Sequence, residues 1–200
     1  MIGHFVYLAS RSIYEGKVED IFWISHIGTF IGGVGALFKN RFLISVALVS
    51  LAGHHCFWLI DTLSWLFTGN FLVGTTLYLQ DAGVSEWILS ANHFFSVPLL
   101  LILAFYQGGI KQHAWLWSSL LFAILAVLCL FISPKVSNVN SVHQLWPGLD
   151  GLFLGSFETL TKPFYLGVII IINALGNYLV VYLVLILILG VARNEHLRLR

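Results

Sequence analysis

Long apolar runs broken by short polar turns organise this chain, and they predict membrane-spanning helices. Five segments qualify: residues 21–38, 42–67, 86–106, 113–133 and 164–192. About 20 apolar residues in a helix are enough to cross a hydrocarbon core. Lys39-Asn40-Arg41 and residues 107–112 form short turns, so the helices they join are expected to be antiparallel neighbours. Two connections are longer. Residues 68–85 carry glycines and threonines but no lysine or arginine, and they are too apolar for free solvation. This stretch is expected to lie along the interface or dip back toward the bundle. Residues 134–163 hold Asn138-Val139-Asn140, His143 and a Gly/Phe-rich part at 148–157, which is expected to be interfacial or re-entrant. At the start, Ile2, Phe5, Val6, Ala9 and Ile13 fall on one side of a short amphipathic helix, expected on the membrane surface. The expected fold is all-α: one polytopic membrane bundle of about five helices spanning residues 1–200.

Polar residues interrupt this pattern at few places. The segment 42–67 carries His54, His55 and Asp61. An aspartate at the centre of a membrane helix costs at least about 2.5 kcal/mol on insertion scales, so such a residue marks a site by default. On a helix, Ser50, His54, Trp58, Asp61 and Trp65 step by three or four and share a face. His55 sits about 100° away and reads as structural. The remaining polar positions are His26 in the first span, Asn92 and His93 in the third, and Asn173 and Asn177 in the last.

Composition supports the membrane class. Of 200 residues only 10% are charged, against 58% hydrophobic, where a soluble domain carries about 25% charged residues. The formal net charge of +1 gives no general attraction to nucleic acid. Cys56 and Cys129 lie in apolar runs without a Cys-x-x-Cys, which argues against a thiol–disulfide relay. Lysine and arginine bias sets the expected orientation. Lys39, Arg41, Lys111, Arg193, Arg198 and Arg200 share one side. The other side has Arg11, Lys17, Lys135 and Lys162 over longer segments. The short basic turns and the C-terminus are therefore expected in the cytoplasm, with the N-terminus and both long loops outward. The expected setting is a bacterial inner membrane.

This topology places His26, His54, Asp61, Asn92, His93, Asn138, Asn140, His143, Asn173 and Asn177 toward one leaflet, as an outward-facing pocket. Two chemistries fit. A histidine serves as general base when an aspartate orients it, so His93, His54 and Asp61 are the candidate catalytic residues of a hydrolase or acyltransferase acting on membrane lipid. The nucleophile stays open, because no Gly-x-Ser-x-Gly elbow is present. The same three residues are also candidate metal ligands, with zinc as one option. The alternative is a non-catalytic membrane module that binds a small ligand, a metal or a partner protein, the last through a small-residue face such as Gly28, Gly32 and Gly35. Every one of these polar residues also has a structural reading, as hydrogen bonding within a helix bundle.

Several short motifs occur in a particular order: Phe22-Trp23; Ile60-Asp61 with Phe67-Thr68-Gly69; Thr76-Leu77-Tyr78 with Asp81; Leu89-Ser90 with His93 and Pro98; and Asn138-Val139-Asn140. This order resembles an uncharacterised group of bacterial integral membrane proteins over residues 21–143. The resemblance implies the topology above and a site at Asp61, His93, Asn138 and Asn140, without an established activity. The chain departs from the group in its first span, where His26 stands in place of an acidic residue. More distantly, the stretch from Asn92-His93 to Pro98 is similar to the histidine helix of eukaryotic membrane threonine hydrolases that act on lipid esters.

Overall fold

The computed structural model describes residues 1–146 and 160–198, with side chains up to residue 192. The Gly/Phe-rich part at 148–157 lies outside the described residues. The described chain is helical: α1 (Ile2–Tyr14), α2 (Ile24–Leu37), α3 (Arg41–Thr68), α4 (Val84–Ser90), α5 (Asn92–Tyr106), α6 (Ala114–Ile132), α7 (Lys162–Ile171) and α8 (Val180–Arg198). A π-helical segment, Ile172–Leu179, joins α7 to α8. Four stretches are long and apolar enough to cross a membrane: Arg41–Thr68, Val84–Tyr106, Ala114–Ile132 and Lys162–Ala192. The first apolar helix, α2, has only 14 residues, about 21 Å. Its upstream neighbour is a 3-10 turn, Val18–Phe22, instead of a continuation of the helix.

α3 is the axis of the bundle. It has 28 residues, about 42 Å, and its most apolar window is 67% buried, against 17% for Lys162–Ala192. Its start is set by Asn40, whose side chain accepts from the N–H groups of Phe42 (3.0 Å) and Leu43 (3.1 Å). It ends at Gly69, whose φ of +76° suits glycine. α2, α5 and α6 pack around it through Ile44, Leu48, Leu51, Leu100, Phe122 and Ala126. Gly28 is needed for close approach of α2, because a Cβ there would stand 2.6 Å from a Leu51 methyl. At one end of the bundle, the Arg41 guanidinium donates to the carbonyls of Gly108 (2.5 Å) and Gly109 (2.9 Å), tying the two short turns together.

α1 docks along α2 and does not lie apart from the bundle. Met1 and Ile2 sit against Gly32 and Gly33, and Phe5 stacks on Phe30. His4 Nε2 donates to the Leu89 carbonyl (3.1 Å), and burial lowers the His4 pKa from its ordinary value, favouring the neutral ring. Arg11 pairs with Glu86 (2.6 Å) and Glu15 (2.5 Å). Part of the apolar stripe read from the sequence, Ile2 and Phe5, is therefore spent on protein contacts, while Val6 and Ile13 stay exposed.

Candidate functional site

The polar residues of the second span separate into three environments. Asp61 belongs to a loop anchor. Its carboxylate accepts from the N–H groups of Val73 (2.7 Å), Gly74 (3.1 Å) and Thr76 (2.9 Å), and from the hydroxyls of Thr75 and Thr76 (2.9 Å each). A carboxylate offers about four lone-pair directions, so these five donors saturate it. The expected histidine–aspartate pair is not formed, because the downstream loop fills every acceptor direction of the carboxylate with backbone and hydroxyl donors. The anchor folds residues 70–80 over the end of α3, with Phe71 stacked on Trp65.

The second environment lies between α3 and the start of α5. His55, 1% exposed, touches His93 with ring centroids 4.4 Å apart and planes at 43°. Trp58 also stacks on His93 (4.5 Å, 16°). The Trp58 indole N–H donates to the Tyr78 hydroxyl (2.9 Å), which is itself bonded to the Ser90 hydroxyl (2.8 Å). The anchored loop thus delivers Tyr78 to this cluster. The geometry of His93 follows from the joint between α4 and α5. There Phe94 N–H bonds to Ala91 O, three residues back, in place of the Ser90 carbonyl four back. The freed Ser90 carbonyl accepts from His93 Nδ1 (3.0 Å). A carbonyl only accepts, so Nδ1 carries the proton and Nε2 carries the lone pair. Neither ring nitrogen of His55 has a hydrogen-bond partner.

The third environment holds His54, on a different flank of α3. Its Nε2 meets the Tyr178 hydroxyl (3.0 Å), and its ring stacks near Phe122 (6.2 Å, 23°). Tyr178 comes from the π-helical segment, whose wider turn also brings Asn177 onto Gly53; a Cβ at Gly53 would overlap the Asn177 Oδ1. Such π turns are rare and concentrate at functional sites. The Asn177 Oδ1 and the Ser50 hydroxyl are buried without a partner. Asn173 bonds back to the Ile169 carbonyl of its own helix (3.0 Å).

The remaining expected pocket residues form seams and caps. Asn140 Oδ1 accepts from Ile24 N–H (2.9 Å), and its Nδ2 donates to Phe22 O (2.9 Å), so it caps α2 from 116 residues away. Its φ of +57° is one that asparagine tolerates. Asn138 Oδ1 accepts from His143 N–H (3.0 Å) and Gln144 N–H (3.2 Å), closing the 138–144 loop. His143 Nε2 donates to Ser133 O (2.8 Å). His26 Nδ1 donates to Asp20 O (2.7 Å). Asn92 Nδ2 reaches Ser25 O (3.3 Å) and Thr29 Oγ1 (3.4 Å), and Thr29 meets Ser96 (3.1 Å). That seam joins α2 to α5.

The structure brings His93 together with His55, Trp58, Tyr78 and Ser90, and puts His54 and Asp61 elsewhere. Sequence reasoning missed His55. The available signal was its spacing: His55, Trp58 and Thr62 recur at i, i+3 and i+7, a helix face as good as the one through His54. Among the described residues no group of three or more histidine, cysteine, aspartate or glutamate side chains is arranged to hold a metal ion.

These features define a membrane-embedded all-α bundle with a buried histidine pair beside its central helix. Comparison with family models, curated proteins and solved structures finds no match for this chain.

Proposed function

We propose that this protein is a non-catalytic membrane module whose binding centre for a small polar ligand is the His55/His93 pair. One observation carries the reading: His55 is 1% exposed and both its ring nitrogens are unpartnered. A buried polar group left unsatisfied costs about 1–3 kcal/mol, so a structural role alone is a poor account of a histidine here. The lipid hydrolase or acyltransferase reading has less support. Asp61 is saturated by its loop, and the Ser90 hydroxyl bonds to Tyr78, while His93 bonds to the Ser90 carbonyl and not to that hydroxyl. A partner-protein reading through Gly28, Gly32 and Gly35 also loses its surface, since Leu51, Leu100 and Ile44 lie against these glycines. We place the module in a bacterial inner membrane, with the basic turns at 39–41 and 107–112 and the C-terminus cytoplasmic, and the histidine pair toward the outer leaflet. The likeness to the uncharacterised bacterial membrane group fits this placement.

Native mass spectrometry of the detergent-purified protein tests the reading. A bound species is expected on the wild type and absent from His55→Leu, with His54→Leu retaining it. Identical spectra for wild type and His55→Leu would overturn it.

A further inference from the structure

We infer that the cleft between α5 and α8 seats an acyl chain of an anionic phospholipid, whose phosphate is held at the basic turns by Lys39, Arg41 and Lys111. The inference does not involve the histidine pair. The cleft has a volume of about 400 Å³ and is lined by Leu101, Ile102, Phe105 and Tyr106 of α5 and by Ile188 and Leu189 of α8. Ile102, Tyr106 and Ile188 are exposed, so the cleft lies on the side of the bundle. In a bilayer an apolar cleft gains little from an acyl chain, because the surrounding lipid is equally apolar. The headgroup therefore makes the selection.

The end of the cleft is built for a negative headgroup. α5 stops at Tyr106, and the turn after it is tied to the start of α3: Arg41 donates to the carbonyls of Gly108 and Gly109, and the Lys111 N–H donates to the Ser45 hydroxyl (2.9 Å). Lys39 stands just before the Asn40 cap, with a left-handed φ of +51° that glycine usually takes after a helix. Three cations thus share one end of the bundle. The Arg41 bonds go to neutral carbonyls and leave its charge uncompensated. Among the described residues, every ion pair involves Arg11 or Lys17 at the other end. Beyond Ala192 the sequence adds Arg193, Arg198 and Arg200 against Glu195. Each lysine or arginine near the surface favours an anionic lipid by about fivefold. Tyr106 puts an exposed aromatic ring at the mouth of the cleft, a usual position for tyrosine at a headgroup boundary. A second copy in the same orientation is a poorer occupant, since it would bring the same cations side by side.

The test mixes detergent-purified protein with equal amounts of dioleoyl phosphatidylglycerol and dioleoyl phosphatidylcholine and reads the bound ratio by native mass spectrometry. The wild type is expected to favour phosphatidylglycerol by about tenfold or more, and the double variant Lys39→Gln with Lys111→Gln to lose at least about fivefold of that preference. Lys135→Gln, at the other end, should leave the ratio unchanged. Ile102→Trp, which fills the cleft and keeps the cations, should also lose bound phosphatidylglycerol. Raising ammonium acetate on the unaltered protein should shrink the preference, because exposed charges are screened. A salt-independent ratio overturns the inference however the variants fold. Equal binding of the two lipids by the wild type, or a preference intact in the double variant, overturns it as well. Full phosphatidylglycerol binding by Ile102→Trp would remove the cleft as the seat. A dimer of the wild type that Ile102→Trp abolishes would give the cleft to a second copy and overturn the inference.

Discussion

The two flanks of α3 carry adjacent histidines in opposite states. On the His54 flank the imidazole is matched by the Tyr178 hydroxyl at 3.0 Å and packed beside Phe122. On the His55 flank the imidazole is more deeply buried, yet both its nitrogens are without partners. One residue of sequence turns a helix by about 100°, enough to send neighbouring side chains into different interfaces. The comparison teaches that the polar residues of a membrane helix must be sorted by whether their hydrogen bonds close. Closed networks such as Asp61 with its loop, or Asn140 with α2, account for themselves as structure. His55 does not.

The largest test of this contrast is Asp61→Ala. Removing a carboxylate that accepts five bonds is expected to cost about 3 kcal/mol or more, since bonds to a charged group contribute about 1.5–3 kcal/mol each and the stranded donors add to the loss. The loss should be one-sided. Hydrogen exchange should rise across residues 70–80 and spare the π segment around Tyr178. Uniform loosening of both flanks would show that the loop is not a separate wall of the His55 side.

Gly53→Ala probes the other flank. The added methyl falls on the Asn177 side chain, and overpacking of this kind costs about 1–3 kcal/mol. The double variant Gly53→Ala with Asn177→Ala should recover most of the loss, giving a clear coupling term in a double-mutant cycle. Simple additivity would mean that Asn177 does not seat on Gly53.

The smallest effects make the sharpest distinction. His54→Leu removes one paired hydrogen bond and should lower detergent-state stability by about 1 kcal/mol. His55→Leu replaces unpartnered polar atoms by apolar ones. In ligand-free protein it should be neutral or slightly stabilising, because the unsatisfied group disappears along with its desolvation cost. A fall of about 2 kcal/mol or more for ligand-free His55→Leu would assign His55 a structural bond and sink the contrast.

Much of the fold was legible in the sequence, and most of the site was not. Hydropathy marks the long helices because the bilayer requires about 20 apolar residues and full backbone hydrogen bonding. Asn40 and Gly69 mark the ends of α3 through local cap chemistry. The first apolar run is a harder case: Phe22 and Trp23 extend its apolar length, but Phe22 lies in a 3-10 turn and Trp23 is the extended residue before α2, so α2 is shorter than its hydropathy predicts. For the site, the sequence points to the second span and to His93. It does not choose between His54 and His55 as partner. Trp58 lies about 40° from the first and about 60° from the second on a helical wheel, a difference too small to decide which neighbour its ring will cover.

The sequence by itself therefore determined that this is an all-helical membrane protein, where its main turns fall, and that polar side chains are confined to a few positions. Those properties follow from local periodicity and from the cost of exposing backbone to lipid. The tertiary structure decided the partners. Asp61 turned to a loop 12 to 15 residues downstream, Asn140 to a helix start 116 residues upstream, and His54 to a tyrosine on a π turn 124 residues away. Helix rotation and the reach of side chains across interfaces set these pairings, and neither is written in the spacing of residues along one segment.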